Sequence, residues 1–312
     1  MPLTRLIIGL SLALAAAPAA GEIAFVTNQN SDELSILDLD KGTEIARLPV
    51  EGKPAGVAVG KGAEIYTVSP DSKTIRRFDS RSGEILAEAV LDGGPIGIAY
   101  DPASERVFVS DWYNARIWVL EARSLTQIST LTTGSAPAGL EVFGSLLASA
   151  DRDAHQVSIF DLNDLTLRHQ LDVGERPFGL GFAPDGRLFV GNVGSNDVTI
   201  LDPQQGEILA TLPVGERPYG VAFAKGQAFV TNQYENTVSV IDLDSLTVTA
   251  TFEVGEYPEG IDSTSDESLV VVANWFDNTV SLIDPVSLSV IGEMETGDGP
   301  RAFGRFISEG AP

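Results

Sequence analysis

The sequence predicts an all-β fold, namely a seven-bladed β-propeller with four antiparallel strands in each blade. A motif recurs seven times along the chain, at steps of 40 to 42 residues. Each repeat contains only short segments rich in β-branched and aromatic residues, and turn residues separate these segments. A repeat of this length with room for four short strands is typical of a propeller blade.

Three positions define the motif. A small polar residue ends one strand, an acidic residue follows ten positions later, and a proline comes sixteen positions after the acid. The polar residues are Asn28, Ser69, Asp111, Asp151, Asn192, Asn232 and Asn274; the acids are Asp38, Asp79, Glu121, Asp161, Asp202, Asp242 and Asp284; the prolines are Pro54, Pro95, Pro137, Pro177, Pro218, Pro258 and Pro300. Each acid precedes a turn, where its side chain can accept hydrogen bonds from backbone amides. We therefore expect the acids to be structural.

The repeat at 218–254 shows the four strands of a blade in order. Pro218 opens the first strand, and the others span 228–232, 237–242 and 248–254. First strands crowd the ring axis. A glycine two residues after the proline therefore predicts close backbone approach between blades. Six repeats have this glycine, at Gly56, Gly97, Gly139, Gly179, Gly220 and Gly260, and the seventh has Ala302.

The two ends of the chain predict how the ring closes. Residues 22–28 form a second strand with no first strand before it, whereas residues 300–307 form a first strand with no blade after it. We therefore expect the C-terminal strand to complete the N-terminal blade, which leaves no free sheet edge at the junction.

Residues 1–20 have the pattern of a secretory signal peptide. Arg5 gives a positive start, residues 6–17 are apolar, and Ala17-Pro18-Ala19 resembles a cleavage site. The expected mature protein is one propeller domain at 21–312, secreted, and periplasmic in a Gram-negative cell. A second apolar run of membrane length is missing, so no membrane insertion is expected. The chain has no cysteine, which excludes disulfides and thiolate chemistry.

The charge excludes some classes of partner. With 20 basic and 44 acidic residues, the net charge is −24. Such a surface repels nucleic acid and anionic lipid and favours cations or a basic protein. Signatures of nucleophile elbows, phosphate-binding loops and zinc peptidases are missing from the sequence. We expect a monomer that requires no cofactor, with a divalent metal as an option.

Several repeats resemble the YVTN family of β-propellers. The segments Phe25–Asn28, Phe189–Asn192 and Phe229–Asn232 are similar to its Tyr-Val-Thr-Asn signature, and the resemblance covers 22–307. It implies an exported propeller, with some members near quinone-dependent alcohol oxidation and transport systems. Relatives of the family include metal chaperones, surface proteins and oxidoreductase subunits. The resemblance carries no functional residues over to this chain.

Spacing indicates which face to search for function. The loops between second and third strands, and between blades, have constant length and share one face. On this face, four consecutive blades present arginines and aromatic residues, which are typical of binding hot spots. The predicted site for a partner protein or small ligand is Arg176, Phe178, Arg217, Tyr219, Tyr234, Tyr257, Glu259, Trp275, Phe276 and Arg301. We call this set the arc.

Two alternative functions remain open from the sequence. Asp151, Asp153 and His155 combine carboxylates with an imidazole, which suits zinc or manganese and a metal-delivery role. A lactonase-like hydrolase would need acids and an arginine or histidine that converge on the loop face. Glu259, Arg217, Asp111 and Asp151 are the candidates for that role.

Overall fold

The computed structural model describes residues 22–62 and 64–308. The predicted signal peptide at 1–20 lies outside the described residues. The described part contains 28 β-strands and one short 3-10 turn at Arg152–Ala154. These strands form seven four-stranded antiparallel sheets, as predicted.

The blades follow one another along the chain. Blade 1 contains β1 (Ile23–Asn28), β2 (Glu33–Asp38), β3 (Thr43–Pro49) and the last strand, β28 (Ile307–Ser308); blade 2 contains β4 (Gly56–Val59), β5 (Glu64–Ser69), β6 (Thr74–Asp79) and β7 (Ile85–Val90); blade 3 contains β8 (Pro95–Asp101), β9 (Arg106–Asp111), β10 (Arg116–Glu121) and β11 (Gln127–Thr132); blade 4 contains β12 (Pro137–Phe143), β13 (Leu146–Asp151), β14 (Gln156–Asp161) and β15 (Thr166–Asp172). Blade 5 contains β16 (Pro177–Phe182), β17 (Leu188–Asn192), β18 (Asp197–Asp202) and β19 (Glu207–Pro213); blade 6 contains β20 (Pro218–Ala224), β21 (Gln227–Asn232), β22 (Thr237–Asp242) and β23 (Thr247–Glu253); blade 7 contains β24 (Pro258–Ser263), β25 (Val270–Asn274), β26 (Thr279–Asp284) and β27 (Ser289–Glu295).

Apolar residues between neighbouring blades form the core. In the second and third strands nearly every residue is buried, because both faces of these strands contact another blade. Between blades 6 and 7, for example, Phe229 and Val240 pack with Val272 and Ile283. The outermost strands instead largely alternate between exposed and half-buried residues, since only one face of each is partly covered.

The motif acids form the expected turns. All seven accept a backbone amide within the next three residues, as in Asp242, whose Oδ1 lies 2.7 Å from the Ser245 nitrogen. The hydrogen bonds that Asp242 accepts from Ser245 lower the pKa of its carboxyl group. The acids therefore hold the turn after each third strand.

The polar residues at the ends of second strands are buried and join neighbouring strands. The side-chain amide of Asn232 donates to the Ser239 hydroxyl at 2.9 Å, and Asn274 does the same to Ser281. In blade 4 the donor and acceptor exchange roles, because the Ser158 hydroxyl donates to Asp151 at 2.5 Å. This position is structural in every blade where the bond forms.

The first strands approach each other as closely as the glycines predict. A Cβ built on Gly179 would lie 1.8 Å from the Tyr219 carbonyl oxygen, and one on Gly97 would lie 2.0 Å from the Ala138 oxygen. Carbonyl oxygens of packed backbone cannot move aside easily, so only glycine fits at positions 97 and 179.

We expect Gly179→Ala to destabilise the protein by about 1–3 kcal/mol or more, because the new methyl group clashes with backbone. Gly292→Ala is the matched control. Its Cβ would lie 3.6 Å from a Leu282 methyl group, which is ordinary contact, on the outer strand β27. Chemical denaturation measures both variants, and equal midpoints for the two would contradict the crowding of the first strands.

The C-terminal segment closes the ring as predicted, although most of it is irregular. β28 pairs with β1 through Ile23 and Ala24, and the Phe25 amide donates to the Phe306 carbonyl at 2.8 Å. Pro300 forms an isolated bridge to Asn28. Between these contacts, Ala302 and Gly304 adopt φ angles of 45° and 128°, so the predicted strand at 300–307 is interrupted.

Candidate functional site

The loops of the predicted face are built on one repeated hydrogen bond. Every loop between a second and a third strand has four residues, and the last one has a positive φ. In blades 5 and 6 this residue is Asn196 or Asn236, whose side-chain oxygen accepts the amide just before the proline of the next blade. That bond fixes Arg217 and Tyr257, which also have positive φ angles. Each of these two loops therefore positions an arc residue of the neighbouring blade.

The arc divides into two layers. The side chains that directly follow the prolines point into the central channel, and Phe178, Tyr219 and Glu259 are buried there. These three residues were predicted on the loop face, whereas the structure places them below it, inside the channel. Arg301 is half-buried beside them, and these four residues form the inner layer. The remaining six lie on the surface or at its rim, and we call them the outer layer: Arg176, Arg217, Tyr234, Tyr257, Trp275 and Phe276.

Aromatic rings of the outer layer form a continuous cluster across blades 6 and 7. The ring of Tyr257 lies 5.7 Å from Tyr234, 5.8 Å from Trp275 and 4.8 Å from Phe276, measured between centroids. Tyr234 and Phe276 are 53% and 59% exposed. The guanidinium of Arg217 stacks on the Tyr234 ring at 4.5 Å. This part of the face presents large apolar surfaces to solvent on a fixed scaffold.

A buried ion pair connects the inner layer. The Arg301 Nε lies 3.1 Å from a Glu259 carboxylate oxygen, and the Arg301 Nη2 donates to the Tyr219 hydroxyl at 2.7 Å. Gln233 donates to Glu259 at 2.7 Å and accepts from Arg217 at 2.9 Å. One chain of polar contacts therefore runs from the surface arginine to the buried one.

Burial and the ion pair act in opposite directions on Glu259. Burial raises the pKa of this carboxyl, and the Arg301 charge, with the hydrogen bond from Gln233, partly counteracts the rise. For Arg301, burial opposes the charge, but the carboxylate beside it raises the pKa of the guanidinium above its ordinary value. Each group therefore depends on the other for its charged form.

An aromatic layer closes the channel beneath the loop face. The Phe178 ring lies 4.5 Å from Tyr219 and 5.1 Å from Phe303, measured between centroids. Phe303 comes from the irregular closing segment, and it was not among the predicted site residues. The layer separates the loop face from the lower part of the channel.

The three candidate metal ligands do not converge. Asp151 is buried and accepts hydrogen bonds from Ser149 and Ser158. Asp153 pairs with Arg152 at 2.5 Å, and the His155 Nδ1 accepts the Arg176 amide at 2.9 Å. His155 thus occupies the position that asparagine holds in blades 5 and 6. Within 22–62 and 64–308, no group of three or more His, Asp or Glu residues could hold a metal ion.

The candidate hydrolase residues also lie apart. Asp111 accepts the Gly94 amide at 2.9 Å and the Arg116 Nε at 2.8 Å, so it is bound into blade 3. Burial opposes its charge, but these hydrogen bonds leave the pKa of Asp111 below its ordinary value. Asp151 is bound into blade 4, whereas Arg217 and Glu259 are both joined to Gln233. The geometry brings two of the four residues together.

A large cavity opens on the opposite face. It has a volume of about 770 Å³ and extends from Phe303 and the axial glycines to the hairpins between first and second strands. Its walls include Leu140, Leu180 and Val221. Five charged residues also line it, and three of them form a contact group: Glu141, Asp262 and Arg305.

This charged group was not predicted, although the sequence contains a signal for it. Four positions after the motif proline, five of the seven repeats have alanine or glycine, and the other two have Glu141 and Asp262. Burial raises the pKa of Glu141 to about 7, against the opposing effect of Arg305, and the nearby Asp262 adds to the rise. An acid at a position that is otherwise small points into the channel rather than into the core.

Solved structures support the architecture. The chain is similar to Kuenenia stuttgartiensis hydrazine synthase, with a TM-score of 0.76 and 17% identity over 90% of this chain and 100% of that chain. It is also similar to the dihydro-heme d1 dehydrogenase NirN in complex with DHE, with a TM-score of 0.68 and 17% identity over 90% of this chain and 65% of that chain. No family model and no curated protein matches the sequence. At this identity the likeness shows the propeller fold alone.

Proposed function

We propose that this protein is a non-catalytic binding propeller that recognises a partner protein through the outer layer of the arc. The observation that carries the proposal is the exposed aromatic cluster around Tyr257, flanked by the stacked Arg217. Tyrosine, tryptophan and arginine dominate binding hot spots because they bury large surfaces at a low cost in conformational entropy.

The shape of the loop face favours a protein over a small ligand. The aromatic layer of Phe178, Tyr219 and Phe303 fills the channel directly below this face. The large cavity lies on the other side, and none of the arc residues lines it. A small molecule would therefore find rings that stand outward, whereas a protein surface can cover Tyr234 and Phe276 together.

The setting we propose is outside the cytoplasm. Its support is the signal-peptide pattern of residues 1–20, together with the resemblance to exported YVTN propellers. That resemblance also favours an accessory role in a periplasmic oxidation or transport system. No helix in the described part of the chain is long and apolar enough to cross a membrane.

Site-specific photo-crosslinking tests the partner site. With p-benzoyl-phenylalanine in place of Phe276, we expect a discrete crosslinked product in the native host. Addition of excess wild-type protein to a cell extract should abolish this product, whereas Tyr234→Ser/Phe276→Ser protein should compete roughly tenfold less well, because a hot spot is lost.

Sequencing the N-terminus of the protein recovered from the native host tests export. A chain that still begins at Met1 would contradict it.

Tyr113 provides the matched control position. It is 76% exposed and lies in the corresponding loop of blade 3, away from the arc. The same crosslinker there should give no such product, and Tyr113→Ser protein should compete as well as wild type. Equal products at both positions, or equal competition by both variants, would overturn the assignment of the partner site.

A further inference from the structure

The large cavity on the face opposite the arc is called the lower cavity below. Its charged group of Glu141, Asp262 and Arg305 exposes the cation to solvent and buries the two acids. The Arg305 side chain is 64% exposed, whereas those of Glu141 and Asp262 are 11% and 4% exposed. A molecule that enters the cavity therefore meets a guanidinium first. This is unusual in a chain with a net charge of −24, in which most surface would attract cations.

The two acids hold the guanidinium in place. The Arg305 Nη1 donates to Glu141 at 3.2 Å, and its Nε lies 3.6 Å from an Asp262 oxygen. The other Asp262 oxygen accepts the amides of Phe306 and Ile307 at 2.9 and 3.0 Å, so this carboxylate is fixed by backbone. With Nε and Nη1 held by the acids, Nη2 is left to face a ligand in a fixed orientation.

We propose that the lower cavity binds a small amphipathic carboxylate, with its carboxylate on Arg305 and its apolar body along Leu140, Leu180 and Val221. An arginine held by acids offers a planar, charge-assisted donor to a carboxylate. The cavity walls supply the apolar contact, and a volume of about 770 Å³ suits a molecule of drug-like or fatty-acid size. The site is separate from the arc, since none of the arc residues lines the cavity.

Glu141 couples this binding to protons. Its pKa of about 7 means that it is partly protonated near neutral pH, and the charged groups that face it are Arg305 and Asp262. Lys61 and Glu267 line the cavity as well. A second carboxylate near Glu141 favours its neutral form, so ligand binding takes up a proton. Affinity should fall by about tenfold between pH 6 and pH 8, as the protonated fraction falls.

Three probes with the same ten-carbon chain test the charge preference. Titration calorimetry of the mature protein with decanoate, decanol and decylammonium at pH 6 should give measurable binding for decanoate. We expect decanol to bind roughly tenfold or more weakly, because the charge-assisted bond is lost, and decylammonium to bind least. Equal binding of the acid and the alcohol, tighter binding of the amine, or no binding of decanoate would overturn the proposal.

Variants locate the site. Arg305→Met should lose roughly tenfold or more in decanoate affinity, and Arg305→Lys should recover part of it because the charge returns. Lys61→Met is the matched control, since it removes another cation from the lining without touching the charged group.

Glu141→Gln should bind decanoate with no loss of affinity between pH 6 and pH 8. A loss of affinity in Lys61→Met equal to that in Arg305→Met, or unchanged pH dependence in Glu141→Gln, would contradict the site. If Arg305→Met fails to fold, Arg305→Lys and the wild-type probe series decide the question.

Discussion

A chain that ends at Gly299 is expected not to form a closed ring. The deleted segment carries Phe306, which is fully buried, and Phe303, which packs in the channel. It also carries β28, the hydrogen-bonding partner of β1. Loss of a buried phenylalanine side chain costs about 3–5 kcal/mol, and native proteins are stable by only about 5–15 kcal/mol. Two such losses, together with an open sheet edge, exceed what a marginally stable fold can tolerate.

Thermal unfolding and size-exclusion chromatography measure the effect. We expect the truncated protein to aggregate or to unfold without a cooperative transition. The matched control is a circular permutant in which Ser308 is linked to Glu22 and new termini lie in the hairpin at Lys225 and Gly226. A short linker suffices because Ser308 pairs with Ile23. The permutant should melt cooperatively. A truncated protein that remains monomeric and melts at the wild-type temperature would show that closure does not stabilise the ring.

The repeat made the fold predictable from sequence. The fixed positions of the repeat make local hydrogen bonds that recur from blade to blade. Asp242, for example, accepts a hydrogen bond from the Ser245 amide, and Asn232 donates one to Ser239 on the next strand. Ring closure followed from a mismatch between the two chain ends, which is also visible in the sequence. The positive φ at Ala302, which breaks the last strand, was not predictable, because it depends on how the segment fits between blades 1 and 2.

Side-chain direction limited what the sequence revealed about the site. Arg217 and Tyr219 flank the same proline, yet one lies at the surface and the other is buried beside Arg301. Arg217 lies just before the strand and has a positive φ, which directs its side chain away from that of Tyr219, although both were expected on the loop face. Likewise, constant loop length pointed to one face of the ring, whereas the cavity of about 770 Å³ opens among the variable hairpins of the other. In blades 5 and 6 the fixed loop length serves a structural hydrogen bond, which the side-chain oxygens of Asn196 and Asn236 accept from the amides of Arg217 and Tyr257.

The buried ion pair gives the second large expected effect. Arg301→Met should destabilise the protein by about 3–5 kcal/mol, because it leaves the Glu259 carboxylate buried without a counter-charge. Glu259 is 3% exposed, so solvent cannot replace the arginine. Arg47→Met is the surface control: this arginine pairs with Glu44 and Glu33 at the exposed rim, where such pairs contribute about 0–1 kcal/mol. Urea denaturation of both variants gives the comparison.

The pH dependence separates lost charge from lost packing. Without Arg301, the pKa of Glu259 should rise further above its ordinary value, since burial is then opposed only by hydrogen bonds. A raised carboxyl pKa favours the folded state at low pH, and that stability is lost as pH rises through the folded-state value. Arg301→Met should therefore be closer to wild type at pH 5 than at pH 8, and adding Glu259→Gln should remove the difference. A deficit that is the same at both pH values would mean that Arg301 stabilises the ring by packing and not by its charge.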